Sequence, residues 1–221
     1  MRSKVSSTSL MVFALSWMLA VGALPVAEAR AKQPVILGDG AVAFEIVGEV
    51  NNSAAGIVPA TSEIFGYLSK VDGIDQVFSD PTPVSQNEST ALFTFDTDAT
   101  TIRVTPHGPF RIIDRDGTTT MYLNNGPSNF ADPATFRQGT PIQVSTFHQQ
   151  VIVDTVESTF TVVNTNSITS AQPFTIGSTQ YQLEKKGESV RTVFQGVLAT
   201  RGGGSPPPSG FFSGYAVEAG D

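Results

Sequence analysis

Two histidines and an arginine are the side chains whose type and position could serve catalysis in this chain of 221 residues. An imidazole exchanges a proton near neutral pH, and a guanidinium binds anionic groups. His107 stands between two prolines in a predicted loop, Arg111 follows that loop, and His148 lies in a predicted strand. We treat His107, Arg111 and His148 as candidate catalytic residues. The alternatives are a solvated loop imidazole for His107 and a hydrogen-bonded wall residue for His148.

A group of acids around Asp114 and Asp116 bears a superficial resemblance to part of a calcium-binding loop. In such a loop a glycine occupies the sixth position and carboxylates occupy the first and the twelfth. Placing Gly117 at the sixth position puts Ile112 at the first and Leu123 at the twelfth. Neither side chain binds calcium, so we predict no metal site.

The chain contains no cysteine. This excludes thiol catalysis, thiolate metal sites and iron–sulfur clusters. The sequence also has no nucleophile elbow, phosphate-binding loop, dinucleotide fingerprint or zinc-protease helix. We therefore expect no cofactor, and no motif identifies a reaction.

Phenylalanine is the unusual component, with 15 residues against four tyrosines. Phe44, Phe93, Phe95 and Phe147 lie in predicted strands, where alternation aims side chains at one interior. One interpretation is a filled core, and the other is an apolar cavity for which these four are candidate ligand-binding residues. An enclosed cavity larger than a few waters would distinguish the two.

Residues 1–29 have the pattern of a cleaved secretory signal peptide. A basic start precedes the apolar run 10–24, which is shorter than the roughly 20 residues that span a bilayer. Ala27 and Ala29 are the small residues that signal peptidase reads, so we predict cleavage before Arg30. The predicted location is secreted or periplasmic with no stable membrane anchor; the alternative is an uncleaved membrane helix.

The mature chain is acidic. Removing residues 1–29 takes away two basic residues and one acid, which changes the net charge from −7 to −8. A domain with this charge repels a phosphate backbone, and the sequence shows no basic cluster with interleaved aromatics. We expect no nucleic-acid partner.

Alternation of apolar and polar residues predicts about eight to ten strands along the mature chain. Asp116-Gly117 predicts a hairpin turn within 110–123, residues 184–187 another hairpin, and Asp132 a cap for a short helical turn that ends at Gly139. The remaining predicted strands are 42–50, 63–71, 91–104 with a break at 96–98, 141–156, 158–168, 174–176, 181–183, 189–200 and 211–219.

These strands predict an all-β fold, an antiparallel up-and-down β-barrel of about eight strands, with a β-sandwich as the alternative. We assign 30–201 to the barrel and 202–209 to a Gly/Pro-rich linker. Residues 210–221 are expected to add a C-terminal strand at the edge of the barrel, the alternative being a disordered tail.

Three functions fit these predictions. The first is a barrel that binds a small apolar or aromatic ligand, and the second is a cyclase or isomerase that uses the same cavity. Both rest on fold-level analogy to lipocalins and allene oxide cyclases, with no family motif to carry over. The third is a structural or surface-interaction protein, a candidate homo-oligomer, because Val193, Phe194, Val197 and Leu198 place apolar residues on both sides of one strand.

Overall fold

The computed structural model describes residues 33–37, 42–53, 59–199 and 209–218. Within these residues the chain forms eleven strands, in which successive side chains point to opposite faces. Two short 3₁₀ helices occur between them, and no helix of the described residues has the length and apolarity to cross a bilayer. The strands are β1 (Val35–Leu37), β2 (Phe44–Asn52), β3 (Thr61–Val71), β4 (Phe93–His107), β5 (Phe110–Leu123), β6 (Thr140–Asp154), β7 (Thr159–Ala171), β8 (Phe174–Ile176), β9 (Thr179–Leu183), β10 (Ser189–Leu198) and β11 (Gly210–Glu218).

Eight strands close into an antiparallel barrel in the order β2-β3-β4-β5-β6-β7-β10-β11. Each pairs with the next barrel strand along the chain, which confirms the predicted all-β, up-and-down barrel rather than a sandwich. The last strand does not lie at an edge, because β11 pairs with both β10 and β2. The predicted signal peptide, including Ala27 and Ala29, and residues 202–208 of the predicted linker lie outside the described residues.

A small sheet formed by β1, β9 and β8 packs against one end of the barrel. The ring of Phe174 in β8 contacts that of Phe93 in β4, with 5.5 Å between the centroids. Gln143, near the start of β6, donates from Nε2 to the carbonyl oxygen of Leu183 in β9 at 3.1 Å. Leu37, Phe174 and Leu183 are buried in this contact. We call this end of the barrel the covered end.

The predicted hairpin at Asp116-Gly117 is wrong, because β5 runs through both residues without interruption. Gly117 lies beside Phe147 of β6. A Cβ atom on Gly117 would lie 2.6 Å from Cζ of Phe147 and closer still to the carbonyl oxygen of Asp98. The glycine therefore makes room for a ring inside the barrel. The chain turns instead at Gly108, where φ is +58°.

Three further local predictions are also wrong. β4 is unbroken at 96–98, because Asp96 and Asp98 both face Arg137 on the outer side of the barrel and leave the backbone ladder intact. Residues 184–187 connect β9 of the small sheet to β10 of the barrel, and these strands do not pair. The helical turn forms at Pro133–Arg137, but the side chain of Asp132 makes no capping hydrogen bond.

The segment 124–139 covers the outer face of β3 with aromatic rings. Phe136 is 5.4 Å from Phe65 between ring centroids, and Phe130 is 4.9 Å from Phe136. Phe65 and Phe136 are fully buried. Because these rings pack outside the barrel, the phenylalanines of the chain divide between the lumen and an outer cluster.

Candidate functional site

The lumen contains a cavity of about 390 Å³ in the half away from the small sheet. We call it the lumen cavity. Its wall is built by alternation, since every second residue of a barrel strand faces inward. Most of the wall is apolar, and it includes Val50, Val151, Val153, Phe160, Val162 and Leu198.

A second and much smaller cavity, about 50 Å³, lies nearer the covered end. Phenylalanine rings take up the space there: Phe212 lies 4.5 Å from Phe194 and 6.5 Å from Phe95 between centroids. Ile64 and Phe194 line both cavities and so separate them. The lumen is therefore filled in one half and open in the other.

Four polar side chains in the wall of the lumen cavity are joined by hydrogen bonds, and we call them the arginine cluster: Arg115, Gln149, Asn52 and Ser62. Nη2 of Arg115 donates to Oδ1 of Asn52 at 3.0 Å, and Nη1 donates to Oε1 of Gln149 at 3.4 Å. Ser62 Oγ donates to the same Asn52 oxygen at 2.6 Å. The strand register places Arg115 directly opposite Gln149. β2, β3, β5 and β6 each contribute one member.

The guanidinium of Arg115 is buried among neutral groups. Its residue is 8% exposed, and Gln149 is fully buried. Burial lowers the pKa of Arg115 to about 10, so the side chain stays cationic at neutral pH. Within the described residues Arg115 forms no ion pair, and Nε of Arg115 and Nε2 of Gln149 are buried without a hydrogen-bond partner. A charge buried in this way is costly unless another group compensates it.

The three candidate catalytic residues do not come together. Arg111 lines the mouth of the lumen cavity and donates from Nη1 to the carbonyl oxygen of Phe110 at 3.1 Å. His107 ends β4 and is exposed. His148 faces outward, with Nδ1 2.8 Å from Oδ1 of Asp116, in a pair exposed to solvent. Only the arginine borders the interior.

The four candidate ligand-binding phenylalanines lie toward the filled part of the lumen. Phe44 and Phe95 line the smaller cavity. Phe93 packs against the small sheet, and Phe147 packs over Gly117. None of the four is among the residues that line the lumen cavity.

Sequence analysis missed the arginine cluster. The turn that Asp116-Gly117 predicts would place Arg115 beside a hairpin, whereas Arg115 lies within β5. The signal that could have found it is the alternation through Arg111, Ile113 and Arg115, all of which line the lumen cavity. Gln149 carries a similar signal, since it interrupts the inward apolar series of β6.

Arg137 forms a second charged group, on the outer face of the barrel. Its Nε is 2.9 Å from Oδ2 of Asp96, and its Nη2 is 2.6 Å from Oε1 of Glu63 and 3.6 Å from Oδ1 of Asp98. Burial raises the pKa of Asp96 to about 6, although the charge of Arg137 opposes the rise. These ion pairs hold the segment 124–139 to β3 and β4, a structural role.

The lumen cavity combines a buried cation with a mainly apolar wall, an arrangement that can bind and orient a molecule. In the described part of the chain, no group of three or more histidine or acidic residues could hold a metal ion. Comparisons with protein-family models, curated proteins and solved structures found no match to this chain.

Proposed function

We propose that the barrel binds a small, largely apolar molecule in the lumen cavity. The observation that carries this proposal is a chamber of about 390 Å³ with a mainly apolar wall, in a barrel whose other half is packed. Ligand pockets in proteins have volumes of roughly 300 to 1,000 Å³ and combine apolar walls with a few polar groups. The pattern of residues 1–29 supports action outside the cytoplasm as part of the same proposal.

A neutral fluorescent probe of suitable size, aminoanthracene, tests the proposal. We expect its emission to rise and shift to the blue on titration with the protein, with saturation at one probe per chain. Val162→Phe should abolish the change, because Val162 lines the lumen cavity and a larger side chain fills the space.

Val163→Phe is the matched control, since Val163 neighbours Val162 on the same strand but is exposed on the outer face. Binding that survives Val162→Phe and is lost in Val163→Phe would show that the probe binds outside the barrel. A probe that does not bind the wild-type protein, together with no binding of the chain-like ligands described below, would overturn the proposal.

A further inference from the structure

We propose that the ligand of the lumen cavity is an anion, a medium-chain monocarboxylate whose carboxylate contacts Arg115 and whose apolar body fills the chamber. This inference rests on the proposed binding function and adds the chemical class of the ligand.

The first support is the environment of the Arg115 charge. Two other arginines of the protein have carboxylate partners: Arg103 of β4 pairs with Asp114, and Arg137 of the segment 124–139 pairs with Asp96. Arg115 instead has two amide oxygens as acceptors, and its Nε has none. A buried guanidinium with neutral partners is poorly compensated, and a carboxylate supplies the missing charge with bidentate geometry.

The second support is the adjacent donor. Nε2 of Gln149 is buried without a partner, and the same amide contacts Arg115 through its oxygen. The two unsatisfied donors are thus carried by side chains in direct contact, both in the wall of the lumen cavity. A carboxylate bound beside these side chains would bring negative charge to a part of the wall that has unsatisfied donors and no acid of its own.

The third support is the sign of the charge around the chamber. The chain as a whole is acidic, with a net charge of −7. The described residues of the cavity wall nevertheless include two arginines, Arg111 and Arg115, and no aspartate or glutamate. The chamber is therefore positive inside an acidic protein, which favours anions over cations.

The size of the chamber limits the ligand. Taking about 30 Å³ for each water-sized group, a volume of about 390 Å³ accommodates on the order of ten to fifteen heavy atoms. Decanoate has this size. The apolar wall next to the arginine cluster suits its alkyl chain, as Val151, Val153 and Val162 show.

The test compares three chains that differ only at the head group: decanoate, decanol and decylammonium. Binding is measured by calorimetry and by displacement of aminoanthracene. We expect the wild-type protein to bind decanoate at least tenfold more tightly than decanol and to bind decylammonium weakest. Arg115→Met should lower the affinity for decanoate at least tenfold and leave that for decanol unchanged or higher, since methionine keeps the length and removes the charge.

Arg191→Met is the matched control, because Arg191 is exposed on β10 and does not line the lumen cavity. It should bind all three compounds as the wild type does. Arg115→Lys, which keeps the charge without the planar fork, should recover part of the decanoate affinity. If Arg115→Met does not fold, the preference of the wild-type protein for decanoate over decanol remains a sufficient test.

Equal affinity for decanoate and decanol, or an Arg115→Met variant that binds decanoate like the wild type, would overturn the anion proposal while leaving the cavity as a binding site. Failure of all three chains and of the neutral probe would overturn the proposed function itself.

Discussion

The two halves of the lumen are built by the same strands and have opposite interiors. Near the covered end, Phe95, Phe194 and Phe212 pack ring against ring and leave about 50 Å³. In the other half, valines and the two phenylalanines Phe160 and Phe194 leave about 390 Å³ beside Arg115. The comparison shows that strand pairing and alternation decide which residues face the interior of a barrel, but not how much of the interior they fill. The size of the side chains at each level decides whether that level is core or chamber.

Two buried charged side chains, Asp96 and Arg115, differ in whether they have a partner of opposite charge. Asp96, on the outer side of the barrel, has Arg137 as its partner. Arg115, inside the chamber, has only amide acceptors within the described residues. The charge of Asp96 is compensated by Arg137, and we infer that the charge of Arg115 is compensated by a bound ligand.

Truncation should expose the difference most strongly. Phe212→Ala in the filled half should lower the free energy of unfolding by about 3 to 5 kcal/mol, since it removes a ring from tight packing. Val153 lines the open chamber, so Val153→Ala should lower the free energy of unfolding by only about 1 kcal/mol. Urea unfolding of both variants measures the two costs. Equal losses would mean that the two halves are packed alike.

A pH series tests the paired charge. The pKa of Asp96 is about 6 in the folded protein, above its ordinary value of 3.8. The native state therefore binds more protons than the unfolded state between these values, so its stability falls as pH rises from about 4 to about 6 and then levels off. Relative to Asp96→Asn, the wild-type protein should lose roughly 1 to 2 kcal/mol across this range, an amount reduced by the partial exposure of Arg137.

Urea unfolding at pH 4 to 7 gives the two curves. Asp98→Asn is the control, because the Asp98 side chain is 76% exposed. Parallel curves for the wild type and Asp96→Asn would show that burial of this carboxyl does not control its protonation.

Adding one methylene to each half should give small effects of opposite sign. Val162→Ile extends into the lumen cavity and should stabilise the protein by up to about 0.8 kcal/mol. Val190→Ile extends toward the smaller cavity and should destabilise it by about 1 kcal/mol, because space there is limited. Thermal unfolding of the two variants decides, and destabilisation by Val162→Ile would contradict an open chamber.

Alternation was sufficient to predict the all-β class, because a period of two is imposed by the backbone and each strand carries its own signal. The long consecutive strands then favoured the barrel over the sandwich. The wrong hairpin prediction at Asp116-Gly117 has a physical cause: a glycine suits a tight turn, and it also suits a strand position that is covered by an aromatic ring. Which one applies depends on Phe147 in the next strand, a contact between residues distant in sequence.

The site was less predictable than the fold. Of the three candidate catalytic residues, Arg111 lines the lumen cavity, whereas His107 is exposed at the end of β4 and His148 faces outward. The contact between Arg115 and Gln149 depends on the register of β5 and β6, which places the two residues opposite each other. No spacing within one segment encodes that pairing.

The position of β11 between β10 and β2 has a consequence for how the molecule forms. Gly210 pairs with Val50, so the barrel closes between its first strand, β2, and its last strand, β11. During synthesis the ring of strands cannot close until the last of them has emerged, and until then β2 and β10 each have an open edge. The pairing of β11 therefore completes the barrel. A chain truncated before β11 would leave the edges of β2 and β10 unpaired, and both edges could pair with other chains and aggregate.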